Sequence, residues 1–347
     1  MRRRNPESRL VKITLLSAGT LMVMVTAAIA PALPAIQAHF SEVERVAFWV
    51  RLLLTLPAPF IAATAPIAGY MVDRIGRKTV LVLSTLLFGI SGVAGYVTPT
   101  LPGLLISRAW LGIAVGALMT TVTTLIADYY SGAARARFMG LQAAFAGFGA
   151  TAFLALGGAL ADVGWRVTFL THSVAFVILP FVLFALYEPP LGEQCREVPH
   201  PVSDPGQCVA DSIRVSGSSP SEEEAASHVS LRFLLFVYLL MVGSQIVFYF
   251  LPVQLPFYLQ GVTGASASQT GLAMAVLTVF YAVASLLYGR ISSRMDHLQV
   301  FVAAFALVGV GLLLIWATDG WILILLGLSL AGAGLGLLGT HLNVWLA

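Results

Sequence analysis

The densest grouping of chemically capable residues in this chain is Gly69-Tyr-Met-Val-Asp73-Arg74-Ile75-Gly76-Arg77-Lys78. Asp73 stands where a carboxylate can accept backbone N–H groups from the start of a following helix, a place that favours negative charge. Gly76 permits a tight turn and Gly69 a close approach of helices. Arg77 and Lys78 can meet an anionic lipid leaflet or a carboxylate on a neighbouring helix. By residue type alone the plainer reading is a tight loop with ordinary charges. Two histidines within the apolar runs, His172 and His341, could titrate, and Arg108 is a fixed charge among such runs. Arg108 lies inside an apolar run, where an unpaired charge costs roughly 3 kcal/mol and should find a cavity or a partner. Snorkelling to an interface is the alternative. A lone histidine in a helix is more often a packing or hydrogen-bonding residue than a relay.

The elements that must position these groups are apolar. Of 347 residues, 58% are hydrophobic and 10% charged, with mean hydropathy +0.89, against roughly a quarter charged in soluble domains. That argues against a soluble globule, a disordered chain and a nucleic-acid binder. A bilayer core takes roughly 20 apolar residues as a helix, and such runs fall near 13–37, 48–70, 79–97, 101–126, 138–161, 168–187, 231–258, 269–290, 298–317 and 321–345. The runs are continuous rather than alternating, so the expectation is an all-α polytopic membrane protein of ten spans. The first run is too long for a signal peptide and reads as a retained helix.

Orientation follows from the cations. An inside N-terminus puts fifteen Lys and Arg on one face, only Arg45, Arg51 and Arg166 on the other, and Arg108 within a span. The expected place is the cell membrane, multi-pass, with a cytoplasmic N-terminus. The pI of 9.0 is then a topology signal and needs no anionic partner. The interval 188–230, rich in Pro, Ser and Gly and holding Cys195, Cys208 and Glu222-Glu-Glu224, reads as a flexible cytoplasmic linker. It divides residues 1–187, six spans, from residues 231–347, four spans. Neither cysteine has a second Cys or a His at ligand spacing, so no metal and no cofactor is expected.

A shift of 216 residues places Arg74-Ile75 on Arg290-Ile291 and relates the seventh span to the first. Two homologous halves are a transporter architecture. The same shift sends the partners of spans 5 and 6 to about 354–403, past Ala347. The expectation is two six-helix halves with the last two helices missing, favoured over a parent fold of ten spans. It carries a corollary: the stripe Gly332-Ala-Gly334-Leu-Gly336 would face lipid, and the second half would be loosely packed.

Gly69, Asp73, Arg74, Gly76, Arg77 and Lys78 together form G-x-x-x-D-R-x-G-R-[RK], and in this the chain resembles the major facilitator superfamily of secondary transporters. The resemblance implies a gate at this motif, with Arg77 paired to Asp128 at the end of span 4 and a further partner from span 11. Arg108-Ala-Trp-Leu-Gly112 is similar to the family's span-4 motif, where the arginine is associated with proton coupling. Span 5 keeps a glycine pair, Gly157-Gly158, and lacks the Gly-Pro of the family's drug–proton antiporters. By the same analogy the substrate cavity lies between spans 1, 4, 7 and 10. Span 7 is polar and proline-kinked, so Gln245, Tyr249 and Gln254 could hydrogen-bond a substrate, while Phe145 and Phe148 of span 5 could stack on an apolar one. Polar glue between helices is the competing explanation for each.

The leading functional expectation is alternating-access transport of a small organic solute, with proton-coupled efflux of a drug or metabolite preferred over uptake. Its partners would be the solute, protons and the bilayer, with no nucleic acid. The alternative is a truncated, non-transporting remnant or membrane interaction module. An enzyme is disfavoured: there is no H-E-x-x-H, no G-x-S-x-G and no aspartate pair within the spans.

Overall fold

The computed structural model describes residues 8–188, 231–318 and 320–346, without the side chains of Ala136, most of 231–248, and 343–346. Arg2, Arg3 and Arg4 and the interval carrying Cys195 and Cys208 lie outside the described residues. All regular structure among those described is helical. In the first half the helices are α1 (Arg9–Ala27), α2 (Leu33–His39), α3 (Val46–Thr55), α4 (Pro57–Ile75), α5 (Arg77–Val97), α6 (Leu101–Tyr129), α7 (Gly132–Val163) and α8 (Val174–Ala185). The second half has α9 (Leu231–Thr263), α10 (Ala267–Ser292), α11 (His297–Trp316) and α12 (Trp321–Leu346).

Several spans are jointed rather than continuous. Span 1 is α1 and α2 with a 3-10 turn, Ala30–Ala32, between them; Pro31 and Pro34 sit in the first turns of the two short pieces. Proline has no N–H to donate, so it starts a helical piece more readily than it continues one. Pro57 divides α3 from α4 in the same manner. Span 6 opens as a 3-10 helix, Val167–Ser173, before α8. Other starts are set by caps: Ser8 Oγ accepts from Val11 N–H at 3.3 Å, and Ser266 with Gln269 forms a capping box on α10.

Nine stretches among the described residues are long and apolar enough to cross a membrane. The helix Leu231–Thr263, 33 residues long with Pro252 and Pro256 inside it, occupies the place of the seventh span. The protein is an all-α polytopic membrane protein.

Glycines let the helices close on each other. Gly89, Gly92 and Gly95 line one face of α5 at three-residue spacing, and a Cβ on each would strike Phe176, His172 and Phe169 respectively. Small residues are how membrane helices approach, because lipid gives no hydrophobic drive for association. The stripe on α12 is used in the same way, which corrects the expectation that it faces lipid. Gly332 and Gly336 lie against the carbonyls of Leu277 and Tyr281 on α10, and Gly334 lies against Ala304 and Val308 on α11. Glycines two apart on a helix point to different sides, so one stripe seats two neighbours.

Candidate functional site

The motif from Gly69 to Lys78 is almost wholly helical. Gly69, Asp73 and Arg74 ride the last turns of α4, and Arg77 and Lys78 open α5. Gly76 alone separates the helices, at φ 95°, a conformation in which a Cβ is strained. The Asp73 carboxylate does not cap α5. It is 74% exposed and reaches Arg77 across one turn, Oδ1 to Nη2 at 3.8 Å. The cap comes from Glu188: its Oε1 accepts from Arg77 N–H at 2.6 Å and its Oε2 from Lys78 N–H at 2.9 Å. Asp73 falls short because it belongs to the helix that ends there, so its carboxylate sits beside the turn and not beneath the free amides. A carboxylate arriving from another segment meets them head on.

Two more readings of this motif meet the structure. Gly69 is not a site of close approach, since a Cβ there would have nothing within 4 Å. Arg77 and Asp128 are brought together, Nε to Oδ2 at 3.1 Å, with the arginine side chain 11% exposed. Arg74 turns away from both and stacks over the Tyr70 ring at 5.0 Å. Tyr187, beside Glu188, stacks on Tyr129 at 4.7 Å between centroids. Residues 186–188 thus fold back onto the ends of α5 and α6, and Glu188, read from sequence as the first residue of a linker, is anchored to the first half.

Arg108 is 1% exposed and does not snorkel. Its guanidinium lies over the Phe169 ring at 4.9 Å, and among the described residues Nε, Nη1 and Nη2 have no hydrogen-bond partner. His172 is equally buried; its Nδ1 is 3.1 Å from the Phe169 carbonyl and its Nε2 has no partner among the described residues. His341 lies in a separate cluster, Nδ1 2.7 Å from Tyr288 Oη, with the His297 ring 5.3 Å away.

The two halves share a cavity of about 280 Å³. Its walls come from spans 1, 2, 5, 7, 8 and 10, among them Met22, Ile61, Leu154, Tyr249, Met274 and Leu335. Tyr249 of the sequence candidates is in place. Gln254, Phe145 and Phe148 do not line the cavity. Gln254 is engaged by Arg51, whose Nε donates to its Oε1 at 3.2 Å. Phe145 and Phe148 are exposed, because α7 turns Ala150 and Leu154 to the cavity and two residues of α-helix rotate by about 200°. Gln245 is one turn before Tyr249 on α9, and its side chain lies outside the described residues. Span 4 gives no lining residue, for Gly112 and Gly116 of α6 seat α4 at the carbonyls of Pro57 and Ile61, so α4 stands between α6 and the cavity.

At the end of the cavity away from Asp73, the halves are joined by polar contacts that the sequence did not reveal. Asp162 at the end of α7 accepts from the Ala267 N–H at 2.9 Å, the Ser268 N–H at 3.1 Å and the Ser268 hydroxyl. Gln260 Nε2 donates to the Pro31 carbonyl at 3.0 Å. The Arg51 guanidinium covers the Phe257 ring at 4.8 Å while bonding Gln254. Gly158 and Gly271 allow the crossing of α7 and α10 beside them. The available signal was an acidic residue closing a span: Asp162 ends span 5 as Asp128 ends span 4.

This arrangement, an all-α bundle of two halves around a shared central cavity, is that of a membrane transporter and not of an enzyme. Residues 15–347 match the family model described as Major Facilitator Superfamily, and the chain belongs to that family. It is 28% identical over 333 residues to the class C tetracycline resistance protein of Escherichia coli, covering 94% of this chain and 78% of that protein. Two other matches cover about a third of their relatives' length. Efflux pump dotC of Dothistroma septosporum is 32% identical over 179 residues, 50% of this chain and 30% of that protein. Multidrug resistance protein 1 of Bacillus subtilis is 34% identical over 136 residues, 39% and 35%. Among solved structures, a D-xylose-proton symporter aligns with TM-score 0.73 at 16% identity, over 94% of this chain and 80% of that one. A bacterial homolog of the human lysosomal transporter Spinster, inward-facing and occupied, aligns with TM-score 0.71 at 19% identity, over 97% and 74%. These two likenesses concern the fold.

Proposed function

We propose that the chain acts as a secondary carrier exporting a small organic solute by alternating access, in exchange for protons. The observation that carries this reading is the cavity lined by both halves and bracketed at one end by contacts between them. Two bodies rocking around a central site require a cavity and ends that can part, and hydrogen bonds such as Arg51–Gln254 and Asp162–Ser268 can break and re-form. Export is supported by the resistance and efflux names of the relatives. A cytoplasmic N-terminus is supported by the fifteen-to-three distribution of cations. With that orientation the bracketed end is external and the cavity is poised toward the cytoplasm.

In this reading residues 1–187 form one moving body, extended here to Glu188. Residues 189–230 tether it to the helices of 231–347. The motif of Gly69, Asp73, Arg74, Gly76, Arg77 and Lys78 with Asp128 fixes how α4, α5 and α6 meet at the cytoplasmic end. Arg108 and His172 are the coupling candidates of the first half and His341 that of the second; none of them lines the cavity, so each would act through packing between helices.

The test is a flux assay on the full chain in proteoliposomes that contain pyranine and carry an imposed pH gradient. A panel of neutral, cationic and anionic aromatic compounds is added from the cytoplasmic-equivalent side. At least one class should discharge the gradient faster than in empty liposomes. No discharge by any compound would defeat the exchange reading. Orientation has its own check: Cys195 and Cys208 should resist an impermeant thiol reagent in intact cells and react after permeabilisation.

A further inference from the structure

We propose that the cavity selects uncharged lipophilic solutes and rejects lipophilic cations and anions of the same size; this deepens the transporter reading and rests on it. Among the described residues that line the cavity there is no Asp, Glu, Lys, Arg or His, and the polar side chains are the hydroxyls of Thr26, Thr278 and Tyr249. Thr278 is already occupied, 3.0 Å from Thr151 Oγ1 and 2.8 Å from the Ala275 carbonyl. The nearest approach of a formal charge along a lining helix is Arg51, one turn before Leu54, and Arg51 is turned into Gln254 and Phe257. Neither Arg108 nor His172 is a lining residue; both are turned to Phe169, the guanidinium over its ring and the imidazole Nδ1 to its carbonyl. Sequence points the same way, for no acidic residue stands in the middle of any span.

An ion entering such a site exchanges its hydration shell for apolar walls without a counter-charge, and that loss is severe. A neutral aromatic body loses little and gains the removal of its own apolar surface from water. The volume, about 280 Å³, lies close to the lower bound of roughly 300 Å³ for drug-sized pockets and suits a compound of two or three rings. Met22 on α1 and Met274 on α10 face the space from opposite halves. Thioether side chains are unbranched and polarisable, so they refit around rings of differing outline. The chemistry therefore discriminates by charge and is lenient about shape.

A matched set of probes tests this. Triphenylphosphine oxide, methyltriphenylphosphonium and triphenylacetate carry the same phenyl rings and differ in charge. Radiolabelled forms are measured by equilibrium binding to the full chain in lipid nanodiscs, with empty discs subtracted. The oxide should bind at least about tenfold more tightly than either ion. Ala58→Phe, which fills the cavity from an exposed position on α4, should weaken the oxide by about tenfold or more. Met274→Glu should raise the affinity for the phosphonium, and Met274→Gln, equal in shape and uncharged, should not. Equal or tighter binding of an ion by the wild-type chain would overturn the proposal. So would oxide binding indifferent to Ala58→Phe, or no saturable oxide binding at all. The carrier reading is read separately: charge-selective binding that leaves spin-label distances across both cavity ends unchanged supports the selectivity and defeats alternating access.

Discussion

The Asp162 carboxylate closes the N-terminus of α10, with Oδ1 2.9 Å from the Ala267 nitrogen. It belongs to α7 of the first half, so it holds the two halves together at one end of the cavity. Asp162→Asn keeps one acceptor oxygen and turns an N–H₂ toward a helix end that repels it. The site is exposed and partly screened, so the loss should be about 1 kcal/mol, a shift of about fivefold toward the state open at this end. Distances between spin labels on the adjoining ends of α3 and α9 should lengthen and broaden. Unchanged distances would mean that the glycine crossing of Gly158 and Gly271 closes this end alone.

A different pair of carboxylates is separable at the motif. Glu188 holds the Arg77 and Lys78 amides directly, whereas Asp73 meets Arg77 side chain to side chain at 3.8 Å. Glu188→Ala should therefore expose both amides and cost about 1–2 kcal/mol of local stability, and Asp73→Ala, which removes an exposed carboxylate 3.8 Å from its partner, about 0.5 kcal/mol or less. Hydrogen exchange at Arg77 and Lys78 reads this. Faster exchange in Asp73→Ala than in Glu188→Ala would reverse the assignment.

Why one carboxylate was legible and the other was not is a matter of range. Asp73 lies four positions from Arg77, and nine of the ten expected spans stand as apolar helices among the described residues, whereas the Asp128 partner of Arg77, 51 positions away, was implied by the family resemblance and not by any local pattern. Glu188 caps an amide 111 positions away, and no local pattern points to it. The same holds at the far end of the cavity, where Asp162 and Arg51 read as a span boundary and a topology charge until α10 and α9 are brought beside them. The joints at Pro31 and Pro57 interrupt spans that read as continuous from their apolar runs, although proline, which acts on its own helix, was the local signal for them. The glycines of α12 were legible as a packing surface but not as to which neighbour they seat. Phe145 and Phe148 failed for a simpler reason: aromatic type was read without its angular position on α7.

Arg51 and Gln254 should behave as a coupled pair. Arg51→Ala removes the hydrogen bond at 3.2 Å and the cation–π contact with Phe257. Gln254→Leu removes the hydrogen bond alone. A double-mutant cycle on the open–closed equilibrium should return a coupling of about 0.5–1.5 kcal/mol, with Arg51→Ala the larger single effect. Strict additivity would show that the contact forms without holding the end shut.

Arg108 carries the last prediction, because stability and transport should respond to it in opposite directions. The guanidinium is buried, without hydrogen-bond partners among the described residues, and rests on the Phe169 ring. Placing an arginine in the middle of a span costs roughly 3 kcal/mol on insertion scales, and a desolvated cation–π contact returns about 2 kcal/mol. Arg108→Met keeps an unbranched side chain of similar length and deletes the charge, so it should stabilise the fold by about 1 kcal/mol, the difference between those two terms. Arg108→Lys keeps the charge, loses the flat stacking surface, and should be the least stable of the three. Thermal unfolding in nanodiscs ranks them as Met above Arg above Lys. In the pyranine assay Arg108→Met should nonetheless lose proton exchange, as a group retained against its burial cost would be retained for the transport cycle. A drop in melting temperature on Arg108→Met would mean that the arginine has a counter-charge in the working protein, and would replace the ring contact as its reason for being buried.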